Sequence, residues 1–383
     1  MMMTYPTSDK SFEYLVISDV HLGSTRNRTD NIIKNLDNFF GNFTKYQELD
    51  AIFIAGDLFD TLLDNHTPDY HNVIIWVYRL MNFCARNNIK LRILEGTPSH
   101  DWNQPRIFQT LIGVSTLSLD FKYIPNIYIE FLEEKDLYIL YVPDEATESA
   151  ETTLKFIKSQ MSDLGINKVD IAIMHGMFGF QLNNIVTTQT HNESDYLDMV
   201  NYYIHIGHIH THNKYARIIA QGSFDRLSHG EEEEKGAILA KVDKASNISS
   251  YEFIVNKTAK IFKTINIPKN YTIEEALDKL DKQILKYPED SFIRIKAPKN
   301  HIVYQAFEEL KKRYINYNLS KKNEEDMVTD NQLVEDITYT NPEYEVITIT
   351  HDNIVDLITS EIRDTLICKN KLKDISQSIL ELV

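Results

Sequence analysis

Aspartate and histidine residues form five short clusters in the first part of the chain, each close behind an apolar stretch. In chain order the clusters are Asp19-x-His21, Gly56-Asp57, Ser99-His100-Asp101, His175-Gly176 and Gly207-His208-x-His210. Carboxylate oxygens and imidazole nitrogens together suit Mn, Fe or Zn ions. Two such ions roughly 3.5–4 Å apart can bind a phosphate, activate water and stabilise the leaving oxygen. The clusters therefore predict a two-metal phosphoester hydrolase.

Each cluster taken alone has a more ordinary interpretation. An Asp-x-His pair is usually a helix cap or a surface pair, and a Gly-Asp step after a strand is usually a turn. All five clusters in this order, each near a strand end, favour one shared site. Histidines outside the clusters are interpreted as core or surface residues, and His205, inside a strand, is expected to be packed.

The segments before the clusters have the composition of buried strands. Residues 13–17 and 50–55 are short apolar runs with helical spacing between them, which predicts a β-α-β unit and a mostly parallel sheet. Further strands are predicted at residues 90–94, 137–142, 169–174 and 202–206, a helix at 73–89, and a hairpin over 237–255. Open α/β sheets bind ligands at the carboxyl ends of their strands, where the clusters would meet.

The pattern changes after about residue 262. Helices at 272–287 and 302–314 and strands at 292–295 and 344–349 predict a small α+β domain, with a solvated loop at 318–330. Residues 353–383 carry two short helical patterns, each with one apolar stripe.

Composition excludes several classes of protein. The 383 residues suffice for two or three domains, and 43% apolar with 25% charged residues is typical of a globular chain. Cys84 and Cys368 are the two cysteines, so neither a disulfide scaffold nor a thiolate zinc site is expected. No apolar run of about 18 residues predicts a membrane span, and residues 1–11 lack an apolar signal core. These features predict a cytoplasmic protein without a membrane partner.

The net charge of −16 does not decide whether the substrate is a nucleic acid. Nucleic-acid binders are normally basic where they meet phosphate. Acidic metal ligands, however, count as negative in the sequence and are neutralised by bound cations. A partner subunit could also supply the basic surface.

The cluster order D-x-H, G-D, H-D, H-G, G-H-x-H resembles the calcineurin-like metallophosphoesterase superfamily. Flanking segments narrow the resemblance to SbcD-type DNA double-strand-break repair nuclease subunits. These segments are residues 18–23, 56–61 and 222–227, then Gly230-Glu231, Lys235-Gly236 and residues 262–265. The motifs cover residues 12–265, and beyond them the resemblance rests on domain order.

The resemblance implies a β-sandwich flanked by helices, followed by a small α+β capping domain and a helical tail. We expect a nuclease domain at residues 1–262, a DNA-capping domain at 263–345, and a tail at 346–383 that docks onto an SbcC-type SMC-like ATPase. The implied function is metal-dependent double-strand exonuclease and single-strand endonuclease activity in DNA repair or recombination, by attack of a hydroxide that two metals activate. Manganese is the implied ion, with magnesium as the alternative.

The resemblance also implies roles for individual residues. One metal would be held by Asp19, His21, Asp57 and His210. The other would be held by Asp57, His175, His208 and an Asn that the family carries directly before its third-motif His.

This chain departs from the family at that Asn. Its third motif is longer, and Ser99 falls at the ligand position, where a hydroxyl is a poorer ligand than an amide oxygen. His100 would assist leaving-group departure, and Asp101 could orient its imidazole. Arg26 and Arg28 are candidates for contact with DNA phosphates.

Several alternatives stay open at this point. Helices around 73–85 and 107–119, with Ile74, Val77, Leu111 and Val114, would form a homodimer interface or pack in the core. The tail would bind the ATPase or pack on its own domain. The chain could instead hydrolyse small phosphodiesters or phosphoproteins, or act as a weakly active or inactive scaffold subunit.

Overall fold

The computed structural model describes residues 11–144, 149–181 and 190–323, and these fall within one compact unit. Helices alternate with strands along the described chain, and the strands form three sheets. The protein therefore has a mixed α/β fold, which confirms the predicted class.

The first sheet carries the amino-terminal clusters at its strand ends. Its strands are β1 (Ser11–Ile17), β2 (Ala51–Ala55), β3 (Lys90–Leu94), β4 (Phe121–Ile124), β11 (Gly236–Asp243) and β12 (Ile248–Val255). They are ordered β12-β11-β1-β2-β3-β4. Strands β1 to β4 are parallel, and the predicted hairpin β11–β12 lies antiparallel beside β1. The carboxyl ends of β1, β2 and β3 therefore lie side by side.

The second sheet carries the remaining clusters. Its strands are β5 (Tyr128–Leu132), β6 (Leu137–Val142), β7 (Ile171–His175), β8 (Ile204–Gly207), β9 (Asn213–Tyr215) and β10 (Ile218–Ala220). They are ordered β5-β6-β7-β8-β10-β9. Strands β6, β7, β8 and β10 run parallel, with an antiparallel strand at each edge. Adjacent strands β7 and β8 thus end at His175 and Gly207.

The helices connect the strands and cover the sheets. They are α1 (Thr29–Asn42), α2 (Pro68–Arg86), α3 (Pro98–Asp101), α4 (Arg106–Val114), α5 (Ala150–Asp163), α6 (Glu193–Met199), α7 (Ile273–Ile284), α8 (Ile302–Gln305) and α9 (Phe307–Arg313). Helix α2 begins where the Thr67 side chain accepts a hydrogen bond from the backbone N–H of Tyr70, with Pro68 at the first helical position.

The first two sheets pack face to face. Tyr14 and Phe53 from the first sheet share one buried cluster with Tyr141 and Ile173 from the second. Apolar faces of α1 and α2 cover the outside of the first sheet, and α5 covers the second. Burial of these faces supplies the main driving force for the layered arrangement.

The third sheet has a core of its own. Strands β13 (Phe262–Asn266), β14 (Phe292–Ala297) and β15 (Asn318–Asn323) are parallel, in the order β13-β14-β15. Helices α7 to α9 pack on it around Leu280, Ile293 and Phe307. Helix α7 begins with a reciprocal pair of hydrogen bonds between Thr272 and Glu275.

Two sequence predictions are wrong in this region. Residues 302–314, predicted as one helix, form two short helices, because the helical backbone is interrupted at Ala306. The predicted solvated loop at 318–330 begins with edge strand β15, whose Leu319 packs against the core. A polar strand suits a sheet edge, because the edge strand has a partner strand on one side only and its charged side chains prevent further pairing on the other.

Other predictions lie outside the described residues. These are the strand at 344–349, the docking tail at 353–383 and the domain limit at 345. The domain limit at 262 stays a prediction, although β13 begins there. None of the helices within the described residues is both long enough and apolar enough to cross a membrane.

Candidate metal centre

The ends of β1, β2, β7 and β8 bring the predicted aspartates and histidines into one place. Asp19, His21 and Asp57 have positive φ angles of 51°, 55° and 48°, and His208 has 101°. Such backbone is costly for residues other than glycine, and it concentrates at functional sites. The turns after the strands are therefore shaped to direct these side chains inward.

One group of possible ligands is Asp19, His21 and His210. Each residue offers one ligand atom, and these atoms lie within 4.8 Å of one another. His21 Nε2 is 3.1 Å from His210 Nε2, and it is 3.9 Å from Asp57 Oδ2. The group and Asp57 are the four residues expected at the first of the two predicted sites.

A second group of possible ligands is Asp57, His175 and His208, within the same 4.8 Å limit. His175 Nε2 is 3.3 Å from Asp57 Oδ1, so the two oxygens of Asp57 face different groups. The carboxylate of Asp57 thus has one oxygen toward each group, which is the arrangement that a ligand shared by two sites would need.

Three of the four histidines in the two groups are oriented by acceptors behind them. His21 Nδ1 lies 2.8 Å from Asp60 Oδ1, and His175 Nδ1 lies 2.8 Å from the backbone oxygen of Ala55. His210 Nδ1 lies 3.4 Å from Glu231 Oε1. A metal-ligating histidine usually donates its second ring N–H in this way, which leaves the other nitrogen free to bind.

These outer contacts test whether the donor set fits a cation. When Asp60 and Glu231 accept protons from the Nδ1 atoms, His21 Nε2 and His210 Nε2 present lone pairs to each other at 3.1 Å. Two facing lone pairs repel unless a proton or a cation lies nearby. Together with the adjacent carboxylate of Asp19, the set fits a divalent metal.

The electrostatics of the buried site favour positive charge. Burial raises the pKa of Asp57, but the charge of His175 and hydrogen bonds from His100 and His175 hold it well below its usual value. Burial lowers the pKa of His175, yet Asp57 raises it to about 10. Burial and the charge of His175 lower the pKa of His208. Asp57 thus stabilises whichever cation or proton lies beside it.

His100 lies at the mouth of the site. Its Nδ1 is 3.1 Å from Asp57 Oδ2, and its side chain is 21% exposed. Burial lowers the pKa of His100, but the hydrogen bond to Asp57 and the charge of Asp57 raise it more, so that the pKa lies above its usual value. The imidazole is therefore disposed to hold a proton where a substrate can reach it. His100 also belongs to a third close group with His21 and Asp60.

Asp101 has a different role from the one predicted. It is fully buried, and its two oxygens accept hydrogen bonds from the backbone N–H of Phe59 at 2.9 Å and of Gly96 at 2.7 Å. Burial and the charges of Asp57 and Glu95 raise its pKa well above the usual value. Asp101 joins the loops after β2 and β3, whereas the Nδ1 of His100 is directed to Asp57.

The assignment of Ser99 to the second group is wrong. Ser99 is exposed within α3, and its backbone oxygen accepts a hydrogen bond from Trp102 Nε1. Thr97, the residue before α3, faces the site instead. Its Oγ1 lies 3.3 Å from Asp57 Oδ2, 3.4 Å from His208 Nδ1 and 3.5 Å from His175 Nε2.

A glycine makes the approach of Thr97 possible. A Cβ at Gly96 would overlap the backbone nitrogen and Oδ1 of Asp57. The β3 loop can therefore pass against Asp57 only with glycine at this position. The same close approach lets Thr97 N–H donate to Asp57 Oδ1 at 2.6 Å.

The two candidate arginines differ in their surroundings. Arg26 is exposed, and its charge helps to lower the pKa of Asp60, which places it near the first group. Arg28 is paired with Asp30 at 3.0 Å on the surface. Arg26 is therefore the better placed of the two for a phosphate at the site.

Residues 228–235, here called the connector, contact both the site and the third sheet. Glu231 lies beside His210, and Lys235 Nζ donates to the backbone oxygen of His210 at 2.9 Å. On the other side, Arg294 donates to the backbone oxygen of His229 at 3.1 Å, and Lys263 pairs with Glu232.

Comparisons with known proteins leave the family open. No family model matches the chain, and no curated protein matches it. Among solved structures, 61 chains match, and one of them is 11% identical with a TM-score of 0.36, over 63% of this chain and 99% of its own. A likeness at that level carries no argument about family or function.

The sequence missed four residues of the site. The motif spacing predicts Ser99 where the structure has Thr97, whereas Asp60 and Glu231 lie within the longer motifs and have no predicted role. Asp144 follows β6, and its charge acts on the pKa of His175 and of His208. The available signal for Asp144 is an acidic residue two positions after the strand predicted at 137–142.

Proposed function

We propose that the protein is a metal-dependent phosphodiesterase that acts on DNA, as the nuclease subunit of an SbcD-type complex in the calcineurin-like metallophosphoesterase superfamily. The observation that carries the proposal is the pair of ligand groups that meet at Asp57. When bound, two divalent ions, manganese or magnesium, would bind the phosphate, activate water and stabilise the leaving oxygen. The layered sheets and flanking helices support the superfamily assignment.

The chain's own residues prepare the site for this chemistry. Asp60 and Glu231 fix the rings of His21 and His210 with Nε2 inward. His100 is partly exposed, and Asp57 raises its pKa, so it would donate a proton to the leaving oxygen. Arg26 at the rim would hold a flanking phosphate.

The assembly is part of the same proposal. The outer surface of α2 exposes Ile75 and Tyr78, and the end of α4 exposes Val114, which is 80% exposed. We expect these side chains to form a homodimer interface. Val77, by contrast, is fully buried and belongs to the core. An SbcC-type ATPase would bind the tail, which lies outside the described residues.

The test compares the wild-type protein with Asp57→Asn on linear double-stranded DNA in Mn²⁺. We expect degradation by the wild type and only background cleavage by the variant, with the same circular dichroism spectrum. Full activity of Asp57→Asn would refute the proposal. Hydrolysis of a small nucleotide diester with none of DNA would instead assign the site to small phosphodiesters.

A further inference from the structure

Thr97 contacts every member of the second ligand group. Its Oγ1 lies 3.3–3.5 Å from ligand atoms of Asp57, His175 and His208. Its backbone N–H also donates to Asp57 Oδ1 at 2.6 Å. One residue thus reaches the bridging carboxylate twice and both histidines once.

We propose that the Thr97 hydroxyl completes the second site, and that the two sites consequently bind divalent cations with unequal affinity, the Asp19 site filling first. The inference deepens the proposed function and rests on it for the identity of the cations.

The orientation of the hydroxyl suits a weak ligand. Thr97 Oγ1 is a donor to Asp57 Oδ2, so its lone pairs are left for the space it shares with His175 and His208. A neutral hydroxyl contributes less negative charge to a hard cation than a carboxylate does. The second site therefore gains an oxygen ligand, but this neutral oxygen adds little electrostatic attraction for a cation.

The charges of the two sites differ in the same direction. The first group contains its own carboxylate, Asp19, and also lies beside Asp57 Oδ2. The second group contains Asp57 alone, and it shares that carboxylate with the first group. One carboxylate fewer, and a neutral hydroxyl as the added oxygen ligand, both make the second site the weaker one.

The experiment measures Mn²⁺ binding to the full chain without DNA, by calorimetry and by electron paramagnetic resonance of the bound ions. We expect two binding steps whose dissociation constants differ by at least about tenfold, and spin coupling between the ions only after the second step. Thr97→Val, which keeps the shape and removes the hydroxyl, should weaken only the second step, by roughly 10-fold or more. Thr97→Asn should strengthen that step.

Ser99→Ala is the matched control, since Ser99 is exposed one residue beyond Pro98. It should leave both steps unchanged, and thermal unfolding in a chelator should show that every variant folds. Two equal steps in the wild type, or a second step unaltered in Thr97→Val, would overturn the inference. DNA cleavage alongside such a result would leave the proposed function standing. Unequal steps without any phosphodiester cleavage would refute the function alone.

Discussion

Replacing Asp60 by alanine tests whether the residues behind the ligands control the site. Asp60 Oδ1 accepts from His21 Nδ1 at 2.8 Å, and the His21 side chain is only 2% exposed. Without this acceptor, the buried Nδ1–H has no fixed orientation, and the inward Nε2 loses its position. We therefore expect Asp60→Ala to weaken Mn²⁺ binding at the first site while the second site keeps its ligands.

Two independent arguments give the size of the effect. Loss of an outer partner of a metal ligand typically weakens metal binding about 10- to 100-fold. Every tenfold change equals about 1.4 kcal/mol, so the expected loss is about 1.4–2.8 kcal/mol. A hydrogen bond to a charged group contributes roughly 1.5–3 kcal/mol, which is the same range. Asp60 is partly buried beside His21, with 25% of its side chain exposed, so water would replace its hydrogen bond only in part.

The assay is Mn²⁺ calorimetry combined with cleavage of linear DNA over a range of Mn²⁺ concentrations. Activity of Asp60→Ala should return at Mn²⁺ concentrations 10- to 100-fold higher than the wild type needs. Asp64→Ala is the matched control, because Asp64 lies in the same loop, is exposed, and accepts from the backbone N–H of His66. Equal effects of the two variants, or no effect of Asp60→Ala, would refute the reasoning.

Three further predictions concern catalysis, stability and assembly. His100→Gln should lower the rate of DNA cleavage about 10²- to 10⁴-fold, because the variant cannot transfer the proton that His100 supplies. The affinity for Mn²⁺ should not fall, because both ligand groups remain. A parallel loss of Mn²⁺ affinity would contradict this prediction. Glu130 accepts two hydrogen bonds from buried Arg92, and this pairing holds the pKa of Glu130 below its usual value despite burial. The pair therefore stabilises the fold above pH ~4.3, and this stabilisation is lost as the pH falls through the pKa of Glu130 in the folded protein. Glu130→Ala should therefore cost about 3–5 kcal/mol of unfolding free energy at pH 7, measured by urea denaturation, and less in acid; a constant difference across pH would contradict the charge argument. Ile75→Asp should halve the sedimenting mass if α2 forms the dimer interface, whereas an unchanged mass would exclude that surface.

The sequence was informative where strand patterns and ligand types coincide. Asp19, His21, Asp57, His175, His208 and His210 all follow apolar runs, and parallel strands end at a common edge. The meeting of these side chains at one place could therefore be predicted from the sequence. The two strands beyond β8 in the second sheet could not, because β9 and β10 are only three residues each and carry little periodicity.

Position within a loop was the information that the sequence lacked. Counting back from His100 selects Ser99, but Pro98 begins a short helix that turns Ser99 outward and leaves Thr97 against Asp57. The same short helix explains Asp101, because it directs the Asp101 carboxylate to the backbone N–H of Gly96 and not to the imidazole of His100. Local backbone geometry decided both cases, and no spacing rule describes it.

The connector has a mechanical consequence for the ligand His210. Glu231 and Lys235 hold the ring and the backbone of His210, while the neighbouring His229 and Glu232 are held by the third sheet. A load applied to the third sheet therefore reaches one ligand of the first group through a few charged contacts. A molecule bound across that sheet would exert force on the connector, which is the segment that holds His210 in position.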